Sequence, residues 1–237
     1  MKRSGCSICA RGVMAGSDWR WRKSVMENKK ACLFDFDGTL VDSMPVWRDK
    51  MFRLLKLQDI DPPAGLLREI TPLGDAGTLR YFREHFRLTM SDDEMKREMD
   101  SYALPHYRNW IAAKDGVCEC LKELKDKGIG LYVLTASPRR MYEPCLERLG
   151  MLSFFEQTWC CEDFLTVKSD PDIYRLAAAK MDADMKDIAF FDDNRTALFT
   201  AKTAGLYTVG VFDETSAEDE AQIRRITDRY IRSFYEL

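Results

Sequence analysis

The stretch Ala31-Cys32-Leu33-Phe34-Asp35-Phe36-Asp37-Gly38-Thr39-Leu40 decides how the rest of the chain is read. Residues 31–36 form an apolar run of the length of a short buried strand, and Asp37-Gly38 stops it. Residues two apart in an extended segment project from one face, so Asp35 and Asp37 leave the strand end together if that geometry persists. Gly38 then lets the backbone turn away.

Downstream the pattern changes twice. Residues 43–110 are helical throughout, with Pro45 suited to the first turn of a helix carrying Val46, Trp47, Met51, Phe52, Leu54 and Leu55. Ser91-Asp92-Asp93-Glu94 reads as a capping box, and Pro62-Pro63 and Thr71-Pro72-Leu73-Gly74 as turns. After Asp115-Gly116, helix and strand alternate: helix 117–127, strand 129–134 stopping at Thr135, helix 139–149, a short strand near 157–160, and helix 171–181 opened by Asp170-Pro171. Strand 188–191 runs into Asp192-Asp193, and helix 195–204, strand 206–211 and an amphipathic final helix at 217–234 complete the series. Such alternation predicts βαβ units and a parallel sheet, hence the α/β class.

Right-handed crossovers place the carboxyl ends of parallel strands on one edge, where ligands of open α/β sheets bind. Asp35, Asp37, Thr135, Asp192 and Asp193 then converge. Two unit charges 4 Å apart already repel by about 4 kcal/mol at an effective dielectric of about 20, so four carboxylates together call for a divalent cation. All-oxygen ligation without His or Cys at the strand ends suits Mg²⁺, which binds beside phosphate groups, and disfavours zinc.

Asp35-Phe36-Asp37-Gly38-Thr39-Leu40 resembles the signature of the haloacid dehalogenase superfamily. Three further motifs resemble it in order: Val133-Leu134-Thr135, Lys168 before Asp170-Pro171-Asp172-Ile173-Tyr174, and Phe190-Phe191-Asp192-Asp193. Asp193-Asn194 through Ala201, Ala204 and Gly205 is similar to the phosphoglycolate phosphatase and β-phosphoglucomutase branch. The resemblance implies a Rossmann-like parallel sheet core, residues 30–42 and 111–237, with an inserted all-helical cap at 43–110. It implies catalytic roles for four residues: Asp35 as nucleophile, Asp37 as general acid and base, Thr135 as hydrogen-bond donor to phosphoryl oxygens, and Lys168 as charge neutraliser. It also implies Mg²⁺ held by Asp35, the Asp37 carbonyl and Asp193, with Asp192 assisting. The expected activity is hydrolysis of a small phosphate monoester through an aspartyl-phosphate. A phosphomutase is the alternative within enzymes, and a non-catalytic binding relative the alternative outside them; the presence of both Asp35 and Asp37 speaks against the latter. Two positions depart from the family pattern, Ser169 after Lys168 and Ala197 after the fourth motif, and neither removes a catalytic atom.

Composition bounds the rest. The 237 residues are 46% apolar and 32% charged, which excludes disorder and low complexity. The net charge of −3 combines +5 over residues 1–25 with −8 over the remainder, and an acidic body argues against a nucleic-acid partner. No run of about eighteen apolar residues predicts a membrane span. Lys2 and Arg3 precede no apolar segment of a signal peptide, and the eight cysteines read as free thiols of a cytoplasmic protein. Residues 1–29 are expected to be a disordered or non-native extension, with Met26 a natural start. Within it, Cys6-Ser7-Ile8-Cys9 lacks a second ligand pair, and Trp19-Arg20-Trp21-Arg22-Lys23 is too short to stand for a nucleic-acid domain. His85 and His106 read as ordinary helix residues, Asn194 as a helix cap and Asp172 as a first-turn acid. The expected partner is a small phosphorylated metabolite, and the expected assembly a monomer or weak homodimer.

Overall fold

A computed structural model describes residues 26–237. The Cys6/Cys9 pair and the Trp19–Lys23 run lie outside the described residues. Of the expected extension, the last part is seen: Met26–Asn28 forms one 3₁₀ turn, and Met26 is buried in the core.

Six parallel strands form one sheet in the order β3-β2-β1-β4-β5-β6. They are β1 (Ala31–Phe34), β2 (Gly130–Thr135), β3 (Gln157–Cys160), β4 (Ile188–Asp192), β5 (Tyr207–Val211) and β6 (Arg229–Ile231). Central strands of a parallel sheet are covered on both faces, which explains why β1 and β4 are buried at every residue. The pleat divides them. Cys32, Phe34, Ala189 and Phe191 enter one apolar cluster, whereas Ala31, Leu33, Ile188 and Phe190 enter the other. Register matches this division: Phe34 lies opposite both Val133 and Phe191, and the Phe34 and Phe191 rings stack at 4.5 Å.

Four helices lie in the insertion between β1 and the remaining strands: α1 (Met44–Lys56), α2 (Leu66–Ile70), α3 (Gly74–Phe86) and α4 (Asp92–Asn109). The predicted capping box opens α4, with the Glu94 amide donating to Ser91 Oγ and the Ser91 amide donating to Glu94 Oε2. Trp47, Met51, Leu54, Phe82, Met95 and Met99 form the insertion's own core. Helix α4 does not stop there. Ala103 and Tyr107, further along the same helix, pack into the sheet cluster, so one continuous helix belongs to both apolar bodies. Where the insertion leaves and rejoins, Asp42 N donates to Ala112 O and Lys114 N to Leu40 O, tying the two crossings side by side.

Helices α5 (Val117–Asp126), α6 (Arg139–Arg148), α7 (Pro171–Lys180), α8 (Arg195–Ala204) and α9 (Glu220–Ile226) complete the sheet layers. The predicted final helix at 217–234 is replaced by a 3₁₀ stretch to Asp219, the short α9, and strand β6. Pairing with β5 overrides the local helical periodicity: Val209–Val211 offers an open edge, and Arg229–Ile231 takes it in parallel register. Asp228 secures the junction by accepting from the Thr208 amide at 2.8 Å and its hydroxyl at 3.1 Å. Among the described residues, no helix is long and apolar enough to cross a membrane.

Candidate active site

Strand β1 ends at Phe34, and the Asp35 amide donates to Phe191 O at 2.8 Å, carrying the chain one residue beyond β4's register to stand beside Asp192. Asp192 closes β4 and Asp193 follows it. Carboxylate oxygens of Asp35, Asp192 and Asp193 lie within 4.8 Å of one another, and all three residues are buried. Gly38 makes this possible. Its φ is +75°, and an added Cβ would meet Asp193 Oδ2 at 2.7 Å.

Lys168 arrives from a loop after β3 and places Nζ between two of these acids, donating to Asp35 Oδ1 and, at 2.9 Å, to Asp192 Oδ2. The loop is itself held: the Tyr174 hydroxyl is shared between Lys168 O at 2.9 Å and Ala197 O at 3.0 Å. Burial works against the Lys168 ammonium, but Asp192 and Asp35 outweigh it and hold the group charged well above its usual range. Asp35 is pushed up to about 8 by burial, with Asp192 and Asp37 adding to the rise and Lys168 opposing it. Asp193 is likewise held well above the usual carboxylate range by burial, then by Asp192 and Asp213. Lys114, which pairs with Asp213 at 2.8 Å, pulls the other way. Buried acids this reluctant to ionise together are a fit for a hard divalent cation, because a cation supplies the charge that their mutual repulsion lacks.

The Asp37 carboxylate stands apart from that cluster. The regular strand ends at Phe34, and Asp37 makes an isolated parallel bridge with Val41; its charge still reaches Asp35, which lines the same cleft. Asp37 Oδ1 accepts from Ser43 Oγ and Tyr107 Oη, each at 2.6 Å, and Oδ2 accepts from Ser137 Oγ. Thr135, at the end of β2, accepts from the Ser137 amide at 3.0 Å, so its own hydroxyl proton is available to a ligand. Burial, followed by the Asp37 charge, keeps the Tyr107 phenol protonated far beyond its normal range.

These groups share a cleft of about 540 Å³ between sheet edge and insertion. Asp35, Asp37, Thr135, Lys168, Asp192 and Asp193 all line it, so the structure brings every expected site residue to one place. Asp75, Asp100 and Arg140, which also line the cleft, belong to two ion pairs that local sequence does not signal. Lys50, fully buried in α1, donates to both Asp75 oxygens at 2.8 and 2.9 Å; Arg140 of α6 makes a two-pronged contact with Asp100 of α4 at 2.8 and 2.9 Å. Ser43, Tyr107 and Ser137 were likewise not singled out as site residues. Ser137 has a findable signal two residues beyond Thr135, and Ser43 one at a helix start. Tyr107 is seventy residues from Asp37 and has none. Asn194 caps α8 by accepting from Thr196 N and Ala197 N, while Asp172 lies exposed in the first turn of α7; both are structural, as read. His85 donates from Nδ1 to Tyr81 O at 2.9 Å and stacks on the Tyr81 ring, and neither histidine lines the cleft.

The chain is 29% identical over 197 residues to validoxylamine A 7'-phosphate phosphatase of Streptomyces hygroscopicus subsp. limoneus, covering 81% of this chain and 90% of that one. It is 29% identical over 210 residues to the phosphoglycolate phosphatase of Escherichia coli O157:H7, covering 79% and 83%. Among solved structures, CbbY from Rhodobacter sphaeroides in complex with phosphate superposes with a TM-score of 0.76 at 25% identity, covering 88% of this chain and 96% of that one. The model of the haloacid dehalogenase-like hydrolases matches residues 29–205, and the chain, an enzyme of hydrolase class by that membership, belongs to this family.

Proposed function

We propose that the protein is a magnesium-dependent phosphatase that hydrolyses a small phosphate monoester through an aspartyl-phosphate on Asp35. The observation that carries this reading is the position of Asp35: a buried carboxylate at the end of the central strand, held by the Lys168 ammonium and lining the cleft that Asp37 also lines. The names of two relatives, a validoxylamine A 7'-phosphate phosphatase and a phosphoglycolate phosphatase, support a phosphate ester as the class of substrate. An acidic protein binds a dianion here because Lys168 and the cation offset the local charge.

In this reading an Asp35 oxygen attacks phosphorus while Thr135 donates its hydroxyl proton to a phosphoryl oxygen and Lys168 balances the charge of both partners. The bond to the leaving oxygen breaks, and Asp37 hands that oxygen a proton. A water then attacks the same phosphorus, giving its proton to Asp37 as the Asp35–phosphoryl bond breaks and inorganic phosphate departs. Asp35, Asp192 and Asp193, with the Asp37 carbonyl, would hold Mg²⁺; when bound it supplies electrostatic stabilisation of the transferring phosphoryl group. The insertion forms one side of the cleft, where it would limit the access of bulk water to the reacting groups. A cytoplasmic setting is in keeping with the absence of a disulfide among the described residues Cys32, Cys120, Cys145, Cys160 and Cys161.

The test is release of p-nitrophenol and inorganic phosphate from p-nitrophenyl phosphate, with and without Mg²⁺. Magnesium-dependent release that falls by about three orders of magnitude or more in Asp35→Asn supports the reading. Release that ignores either change overturns it. Return of the phosphoryl group to a second hydroxyl of an added sugar, in place of phosphate release, would instead indicate a mutase.

A further inference from the structure

We infer that Tyr107, together with Ser43, is a positioning residue that fixes which oxygen of Asp37 transfers the proton. The inference rests on the proposed phosphatase reading and goes beyond it, because Tyr107 touches no reacting atom. The two oxygens of Asp37 have different surroundings. Oδ1 accepts two hydrogen bonds at 2.6 Å from Ser43 and Tyr107, both fully buried residues that do not line the cleft. Oδ2 accepts from Ser137, which does line it. One oxygen is therefore held from behind by groups that substrate cannot displace. The other faces the cleft through a hydroxyl that substrate can displace.

Tyr107 is itself held firmly. Its ring stacks with Phe36 at 6.1 Å, and its carbonyl accepts from Arg148 Nη2 at 3.2 Å. The same Arg148 nitrogen donates to Ile111 O, so core helix α6 grips the C-terminal end of α4. Ser43 immediately precedes α1. The two hydroxyls thus come from the two crossings between sheet and insertion, and both converge on one oxygen. With Oδ1 committed, Oδ2 is the atom that gives its proton to the leaving oxygen as the phosphorus–oxygen bond breaks, and that later takes a proton from the attacking water.

A role in leaving-group protonation has a signature that loss of packing does not. A poor leaving group needs the proton in the transition state; p-nitrophenolate departs without it. The experiment compares Tyr107→Phe with the unaltered protein on p-nitrophenyl phosphate and on phenyl phosphate, both with Mg²⁺. The expected result is a fall in kcat/KM of about tenfold or more with phenyl phosphate and of less than about threefold with p-nitrophenyl phosphate, KM changing little for either. Ser43→Ala is expected to show the same leaving-group dependence, which keeps the test available should Tyr107→Phe fold poorly. An equal fall with both esters, or no fall with either, overturns the inference while leaving the phosphatase reading intact. Absence of magnesium-dependent release from the unaltered protein with both esters defeats the phosphatase reading first, and this inference with it.

Discussion

Gly38 and Asp193 approach so closely that a methyl group on Gly38 would lie 2.7 Å from Asp193 Oδ2. The residue that turns the chain out of β1 is thereby also the floor on which the acidic cluster rests. Gly38→Ala combines a backbone cost of about 1–2 kcal/mol at φ +75° with displacement of Asp193. It is expected to lower Tm and to reduce activity by about a hundredfold or more. Gly65→Ala is the control, since Gly65 has φ +82° but nothing within 4 Å of an added Cβ. It should cost stability alone, and paired thermal melts and phosphatase assays distinguish the two.

Lys168 and Asp193 should separate chemistry from cation binding. Asp193→Asn removes a member of the buried acidic cluster, so Mg²⁺ is expected to raise Tm in the unaltered protein and not in this variant. Lys168→Met removes no oxygen ligand. It should lose activity by about two orders of magnitude or more, yet retain a rise in Tm on adding Mg²⁺. Thermal melts with Mg²⁺ and with a chelator read both; a Lys168→Met protein that no longer responds to the cation would contradict the assignment.

Asp35 contributes to the pH dependence of the metal-free protein, and Asp193 acts in the same direction. Burial raises the Asp35 carboxyl to about 8, against an ordinary value of 3.8, so between these limits the folded state binds more protons than the unfolded state. Stability from this group is fully present below about 4 and is lost as pH rises towards 8. Melts in chelator from pH 5.5 to 8.5 should therefore show a falling contribution that Asp35→Asn flattens. A rise in the contribution across that window would be the wrong sign.

Asp228 holds the last strand to the sheet, accepting from Thr208 and pairing with Lys202. Burial alone would raise its carboxyl, but the Lys202 contact and the Thr208 donors win and hold it below the usual range. Its stabilising contribution is present above the unfolded value near 4 and disappears as pH falls through the lower folded value. Asp228→Asn should cost about 1–3 kcal/mol in urea unfolding at pH 7, with the difference narrowing on acidification and kcat unchanged. A loss of kcat comparable to the loss of stability would show that β6 supports the site as well as the sheet.

Most of the candidate site could be read along the chain because each component sits where an element ends. Asp35, Thr135 and Asp192-Asp193 follow or close strands, and Lys168 precedes the Asp170-Pro171 helix start; such positions carry local punctuation that a linear reading detects. Tyr107 sits in the middle of a helical pattern, where a buried tyrosine looks like any other core residue. Lys50 is also silent, because it lies inside α1, and Asp75, in the first turn of α3, looks like an ordinary helix-start acid; only the packing of α1 against α3 pairs them. The β6 strand was hidden for a different reason: three residues, two of them half-exposed, have no strand character apart from the edge they join.

The sequence by itself determined the parallel sheet, the helical insertion and the set of carboxylates at the strand ends, since hydrophobic periodicity and turn chemistry act over a few residues. Only the tertiary structure decided how those carboxylates divide. Register between β1 and β4 joins Asp35 to Asp192 and Asp193, while Ser43, Tyr107 and Ser137, brought in from three separate segments, hold the Asp37 carboxylate. Hydrogen bonding and charge act through space over a few ångströms, so their partners are set by the completed fold and not by separation along the chain.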